Sequence, residues 1–348
     1  MGTWKRVEHL PLRDDGDKRS LLLMLDRQVR VLSSGPNRTY RLGDTQVDRE
    51  RLLATARALR LVVLEYHGRP EFGLRIREKF NIYRTGNPAR EDQALFTGYY
   101  DPELVVSAKP DARYRYPIYR KPDDLILRGD KAYRREGNHL APYYTREQID
   151  GRGALAGKGY EIAWADDYVS VFYLQVQGSG RLRFLDGRTQ TLHFSAHNGY
   201  PFSSAAKPCM NAGLCPGGYQ QNLAWFRANL AQAFKYFFMN QRFIFFRTDD
   251  QPPTGVQGIP LTPMRTIATD KRHYPPGAIA WVKVPMPSVD AQGNAGQKTV
   301  SLLVADGDTG SAIKGTGRAD FYYGSGTAAE KLAGRTYGWG EMYYLLVK

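Results

Sequence analysis

The segment FTGYYDPEL, residues 96–104, is where this 348-residue chain changes character. Before it, apolar residues recur at three- and four-residue steps: Leu22, Leu25, Val29 and Leu32, then Leu52, Ala56, Leu59, Val63 and Tyr66. That period predicts two amphipathic helices, with Asp48 placed to cap the second. After it come short runs rich in β-branched and aromatic residues, punctuated by Gly, Pro and Asp, at 116–119, 169–176, 182–185 and 189–194; these predict strands. One stretch, 222–240, returns to helical period with Leu223, Phe226, Leu230, Phe234 and Phe237 on one stripe, and reads as a core-packing helix. Strands resume at 243–247, 279–284, 299–305 and 342–347. Helices, a β-rich middle and more strands predict an α+β protein built around β-barrels rather than a doubly wound parallel sheet.

Composition sets wider bounds. Apolar residues are 42% and charged residues 24% of the chain, an ordinary globular balance. There is no run of 18 apolar residues, so no transmembrane helix is expected, and Leu21–Leu25 is too short for a signal sequence. The chain thus reads as cytosolic, or as a mature or trimmed exported protein. A net charge of +14 favours a polyanionic partner: nucleic acid, an anionic membrane or an acidic polysaccharide. The basic residues are scattered and no nucleic-acid-binding motif is present, which argues against the first. The two cysteines, Cys209 and Cys215, lie in KPCMNAGLCPGG. They can form a disulfide across the loop, which would imply an oxidising compartment, or remain free thiols. A metal site is disfavoured because four ligands cannot be gathered there.

The chemistry-bearing motifs cluster late. ADGDTGSAIKG, residues 305–315, holds Asp308-Thr309-Gly310, the tripeptide that displays an aspartic-protease carboxylate. A protease needs two such carboxylates sharing a proton, and this chain has one copy, so the tripeptide reads as a turn with Gly310 at positive φ. No Gly-x-Ser-x-Gly is present, and neither GTGRAD nor GSGRLR completes a phosphate-binding glycine loop. Asp306 reads as a solvated loop residue. Asp320, in GRADFYYGSG, has aromatic neighbours; if its carboxyl lies against them it loses solvation, its neutral form is favoured and it suits a general acid near neutral pH, whereas composition alone favours an acid on the exposed side of a strand. Among 23 tyrosines, clusters such as GYYDP, YRYPIY and FYYG combine aromatic faces with hydroxyls, the combination that takes sugar rings.

Four segments together resemble the membrane-bound lytic murein transglycosylase A family: FTGYYDPEL (96–104), YLQVQGSGRL (173–182), GIPLTPMRTIATDKRHYPPGAIAWV (258–282) and ADGDTGSAIKGTGRADFYYGSG (305–326). They occur in the family's order, and the last is the most specific. The resemblance implies a mainly β fold with peripheral helices: a double-psi β-barrel domain from residues 1–101 and 248–348, a second β-rich domain inserted at 102–247, and a deep groove between them.

The resemblance also implies a reaction: cleavage of the β-1,4 bond between N-acetylmuramic acid and N-acetylglucosamine, leaving a 1,6-anhydro sugar and using no cofactor. Asp320 matches the single acid–base residue, and Asp308 the supporting carboxylate. Thr97, Tyr99, Tyr100, Gln175, Gln177 and Ser179 match sugar-binding positions, and Lys314 would offset local negative charge. Implied partners are peptidoglycan glycan strands and other cell-wall enzymes, with no nucleic acid. A periplasmic, outer-membrane-associated location is implied, and membrane contact would come only through a lipid anchor that this sequence does not display. A hydrolytic muramidase or a non-catalytic wall-binding protein on the same fold are the alternatives. The segment FSAHNGYPFSSAAK keeps Asn198-Gly199 but has Ser195 where the family suggests Tyr.

Overall fold

The computed structural model describes residues 4–34, 37–42, 45–251, 253–289 and 295–348. The protein is mainly β and divides into two compact units. The first comprises 1–99, 254–324 and 331–348; the second comprises 100–253 and 325–330.

In the first unit the strands Ala278–Val289, Ala295–Asp308, Thr266–Ala268, Arg318–Ser325, Ala94–Asp101 and Tyr337–Val347 pair in that order, and the last pairs back with the first. Six strands therefore close into a barrel, which removes exposed sheet edges. Phe80–Thr85 and Lys5–Val7 extend it from Tyr337–Val347. Ala278–Val289 is apolar on both sides because Ile279 and Trp281 meet the helices while Ala280, Val282 and Val284 are buried as well. The helices Lys18–Leu32 and Arg49–Tyr66 cover the barrel, placing Leu21, Met24, Leu25, Leu59, Val62 and Val63 in one core with those strands. Asp48 caps the second helix as its sequence position suggests, accepting the Arg51 N–H at 2.8 Å.

The short strand Thr266–Ala268 is fixed by the residue before it. Arg265 is buried, and its five guanidinium N–H groups all find acceptors: Ser20 Oγ, both Asp14 carboxylate oxygens, and the carbonyls of Leu303 and Asp17. The Arg265–Asp14 pair is bidentate, at 2.6 and 2.8 Å, with both side chains essentially inaccessible.

The second unit is a six-stranded sheet in the order Ile244–Asp249, Thr189–His197, Gly180–Phe184, Glu103–Ser107, Glu161–Ala165 and Tyr116–Tyr119. A bridge from Arg120 to Phe246 brings its two edges together. A three-stranded sheet at 126–142 and the helices between 168 and 239 complete it. Cys209 and Cys215 are joined by a disulfide, with Cα atoms 5.3 Å apart.

Three sequence expectations are corrected here. Residues 169–176 are not a strand but most of a helix, Tyr168–Gln177. Asp167 accepts the N–H groups of Val169 and Ser170 at its start, and Gly178 closes it at φ +82°. The helix is buried on most sides, which erased the polar face that would have revealed its period. The expected single helix at 222–240 is two, Tyr219–Ala228 and Leu230–Met239, broken at Asn229 with φ −126°. Asp306 is fully buried in a strand, paired with Lys271 and hydrogen-bonded by Tyr344 at 2.6 Å and by Thr269.

Asp14→Ala should strand the Arg265 charge in the interior. A loss of about 3–5 kcal/mol is expected, seen as a lowered midpoint of thermal or urea unfolding.

Candidate active site

Ala268, the last residue of the short central strand, has an aspartate opposite it on each side. Asp308 is its partner in the parallel neighbour Ala295–Asp308, and Asp320 its partner in the antiparallel neighbour Arg318–Ser325. Two strand spacings separate the two positions, about 10 Å between backbones. Asp308 and Asp320 are thus held by the sheet ladder itself, with no flexible loop between anchor and carboxyl. A proton-sharing protease dyad needs its carboxyls in contact; here each carboxylate has its own hydroxyl donor.

Those donors come from one strand. In Ala94–Asp101, Thr97 and Tyr99 are two residues apart and so share a face. Thr97 donates its hydroxyl to Asp320 Oδ1, and Tyr99 donates to Asp308 Oδ2 at 2.8 Å. Gly98 between them cannot carry a side chain: a Cβ would lie 2.7 Å from the Ala333 Cα and from the Tyr323 ring. Tyr99 also packs on Tyr322, with ring centroids 5.3 Å apart.

The Asp320 side chain is 17% exposed, and the Arg318 guanidinium stands 3.2 Å from Oδ1. Burial pushes its carboxyl above the usual carboxylate range, against the opposing pull of Arg318 and of the Thr97 hydrogen bond. It is a shielded but not sealed acid, with one guanidinium and one hydroxyl beside it to stabilise its charge. Asp308 is more tightly held: Thr309 N–H donates to Oδ1 at 2.8 Å, and the Asp308 carbonyl accepts the Thr269 N–H at 3.0 Å.

The turn joining the two acids is pinned from below. Asp270 Oδ2 accepts the Gly315 N–H at 2.8 Å, and Tyr274 donates to the Thr316 carbonyl at 2.5 Å. The side-chain hydrogen bond from Arg272 holds the Asp270 carboxyl well below the usual range, so it is an anion throughout this role. Asp308-Thr309-Gly310 does end a strand and start a turn, but positive φ falls on Gly315, at +79°, and not on Gly310. Lys314 is exposed on this turn.

The barrel unit therefore gathers Thr97, Tyr99, Asp308, Lys314 and Asp320, whereas Tyr100, Gln175, Gln177 and Ser179 belong to the inserted unit. Tyr100 is buried with its hydroxyl 3.1 Å from that of Tyr219. Gln175 is buried, and its oxygen accepts from Arg146 at 2.8 Å and from the Ile244 N–H at 3.3 Å. Gln177 Oε1 meets the Tyr100 N–H at 3.4 Å, and Ser179 donates to Asp101. Asn198-Gly199 is structural: Asn198 bonds the backbone of Tyr144, Gln241 and Phe243, and a Cβ on Gly199 would lie 2.3 Å from the Ala132 nitrogen. Arg318 and Asp270 were missed by sequence reasoning. Arg318 had a legible signal, since it precedes Asp320 by two residues on the same strand; Asp270 had none.

Because folding raises the Asp320 pKa, ionised Asp320 costs stability at neutral pH, and the cost vanishes once both folded and unfolded forms are protonated. Asp320→Asn should therefore unfold at a higher temperature than the parent at pH 7. The gain should shrink as pH falls through the folded and then the unfolded carboxyl pKa, in calorimetric scans across pH.

Residues 95–247 match the family model described as the MltA specific insert domain, and residues 265–346 match the 3D domain. The chain is 30% identical over 266 residues to membrane-bound lytic murein transglycosylase A of Vibrio cholerae, covering 75% of this chain and 67% of that protein. It is 30% identical over 256 residues to the Escherichia coli K12 protein of the same name, covering 72% and 65%. The matched region thus spans about two thirds of these relatives' length. Among solved structures, a membrane-bound lytic murein transglycosylase from Agrobacterium tumefaciens superposes with a TM-score of 0.82 at 28% identity, over 99% of this chain and 98% of that one. E. coli MltA with bound chitohexaose superposes with a TM-score of 0.79 at 22% identity, over 98% and 93%, a likeness of fold. With the insert and barrel models in sequence order and these relatives on either side, the chain belongs to the membrane-bound lytic murein transglycosylase A family.

Proposed function

We propose that the protein cleaves the β-1,4 bond between N-acetylmuramic acid and N-acetylglucosamine in peptidoglycan, forming a 1,6-anhydro-N-acetylmuramic acid end, with Asp320 as both acid and base. The observation that carries this reading is the buried, solvent-reachable carboxyl of Asp320, raised in pKa by desolvation and held by the sheet, in a chain whose relatives are named lytic murein transglycosylases.

The steps balance on one carboxyl. Neutral Asp320 gives its proton to the glycosidic oxygen as the C1–O bond breaks, and the departing N-acetylglucosamine keeps that oxygen as a hydroxyl. The Asp320 carboxylate then takes the proton of the muramic C6 hydroxyl, whose oxygen closes on C1. Asp320 ends protonated and ready for another cycle, and no water is consumed. A second catalytic carboxylate, which hydrolytic glycosidases need to activate water or to form a covalent intermediate, has no task here, because the nucleophile is tethered to the reacting carbon. Arg318 and Thr97 stabilise the carboxylate formed midway. Asp308, fixed by Tyr99 and Thr309, acts as a positioning carboxylate. Gln177 and Ser179 are assigned to the glycan-binding surface of the inserted unit, buried Tyr100 to its support through Tyr219, and Lys314 to charge compensation beside the acids. Gln175 supports that surface from within, through Arg146.

The relatives' designation as membrane-bound supports a cell-envelope location. Periplasmic residence near the outer membrane is the finer assignment, consistent with the Cys209–Cys215 disulfide.

Digestion of purified sacculi, followed by mass spectrometry of the soluble products, tests the reaction. Anhydro-muropeptides are expected from the parent, with activity reduced at least about 100-fold in Asp320→Asn. Reducing-end products would make the enzyme a hydrolase, and an absence of products would make it a binding protein. The pH profile gives a separate check. Since the working form is protonated, kcat should fall as pH rises through the Asp320 pKa. Thr97→Val and Arg318→Met each remove a group that favours the carboxylate, so each should move that falling limb to higher pH.

A further inference from the structure

The inserted unit contains a cavity of about 490 Å³ that uses none of the residues assigned to the reaction above. Its volume lies within the ~300–1,000 Å³ usual for small-molecule sites. Its aromatic wall is formed by Tyr116, Tyr119, Trp164 and Tyr168, and its charged groups are Arg115, Asp150 and Glu161.

Two backbone irregularities deliver the carboxylates. Asp150 lies in a π-turn, Glu147–Gly151, closed by the Arg152 N–H on the Glu147 carbonyl at 3.1 Å. Such turns are rare and gather at functional sites. Glu161 and Trp164 are three residues apart on one strand, so a regular pleat would send them to opposite faces. The register shift between Glu161 and Ala163 lets both line the cavity, the re-aiming that a β-bulge provides.

The polar groups are arranged to accept. The Asp150 side chain is 7% exposed. The Tyr168 hydroxyl, at 2.7 Å, and Arg146, at 3.3 Å, both bond its Oδ2. Among the described residues no hydrogen bond reaches Oδ1, and Asp150 lines the cavity. Glu161 receives the Gly157 N–H on Oε1 at 3.1 Å, which leaves Oε2 for a ligand. Arg115 lies over the Tyr116 ring at 5.1 Å and supplies donors at the same wall. Arg146 behind Asp150 offsets its charge, and Arg115 and Glu161 bring opposite formal charges to the same lining.

We propose that this cavity binds a neutral N-acetylated saccharide unit, separately from the Asp320 site. Aromatic faces take the C–H face of a pyranose ring, the free carboxylate oxygens accept its hydroxyls, and Arg115 donates to an acetyl carbonyl. The ligand class follows from the wall chemistry and does not rest on the transglycosylase reading.

The test is a titration of the full chain, labelled with 5-fluorotryptophan, with chitotetraose, followed by fluorine NMR. The chain has five tryptophans, and Trp164→Phe assigns the relevant resonance. The Trp164 signal should shift saturably while that of Trp281, buried in the other unit, stays fixed. Glu161→Ala and the milder Glu161→Gln should weaken the apparent affinity at least tenfold and threefold, with muropeptide release from sacculi unchanged. A Trp164 signal that does not move overturns the proposal, as does an affinity unaffected by either Glu161 variant. Movement with choline but not with chitotetraose would make this a cation site and sink the saccharide assignment. Failure of the parent to release muropeptides would overturn the proposed reaction and leave this titration intact.

Discussion

The barrel's chemistry depends on a three-residue strand staying in register. Thr266–Ala268 pairs with one acid-bearing strand on each side, so any slip would move Asp308 and Asp320 relative to one another. Three residues of ladder cannot resist slippage alone. The buried Arg265–Asp14 pair supplies the anchor: a bidentate contact, plus bonds to Leu303, Ser20 and Asp17, ties the strand to the N-terminal segment and to the neighbouring strand. Removing either charge would leave the other unpaired in a dry interior, so the anchor tolerates little change. The N-terminal segment is thus part of the scaffold of the candidate site, since its Asp14 and Asp17 fix the strand between the two aspartates.

Two buried aspartates differ in what their surroundings would let them do. Burial raises the pKa of both Asp306 and Asp320. Asp306 is sealed, with an ammonium and two hydroxyls donating to its oxygens, so no substrate can reach it. Asp320 keeps an opening to solvent and has one guanidinium and one hydroxyl. A carboxyl able to exchange its proton with a substrate must be both desolvated and reachable, and of the two only Asp320 is exposed at all.

Much of this was legible in the sequence, though unevenly. The helices at the N-terminus showed because one face is wet and the other dry, so periodicity survived in Leu52, Ala56, Leu59 and Val63. Three barrel strands showed through their β-branched and aromatic runs, at 279–284, 299–305 and 342–347, whereas Ala94–Asp101, Thr266–Ala268 and Arg318–Ser325 were not read as strands. Tyr168–Gln177 was misread because burial on most sides left Val, Phe, Tyr and Leu with no polar face to set the period. Asp306 was misread because its partners Lys271 and Tyr344 are 35 and 38 residues away, and no local pattern announces a long-range ion pair. At the site, the motif singled out Asp308 and Asp320, and the aromatic neighbourhood of Asp320 pointed to desolvation. Thr97 and Tyr99 were named only through the family resemblance; their shared face on the strand Ala94–Asp101, and which acid each meets, came from the structure. The cavity of the inserted unit was illegible, since a π-turn and a bulge are departures from the periods by which sequences are read.

The central claim is that the fold, by desolvating Asp320, raises its carboxyl pKa and so favours the neutral acid. Carbon-13 NMR of the Asp320 side-chain carboxyl, titrated in the folded protein and assigned by its loss in Asp320→Asn, measures this directly. The account predicts a titration midpoint clearly above the ordinary aspartate value of about 3.9. A midpoint at or below that value would mean that Arg318 and Thr97 outweigh burial, and Asp320 could not serve as the acid.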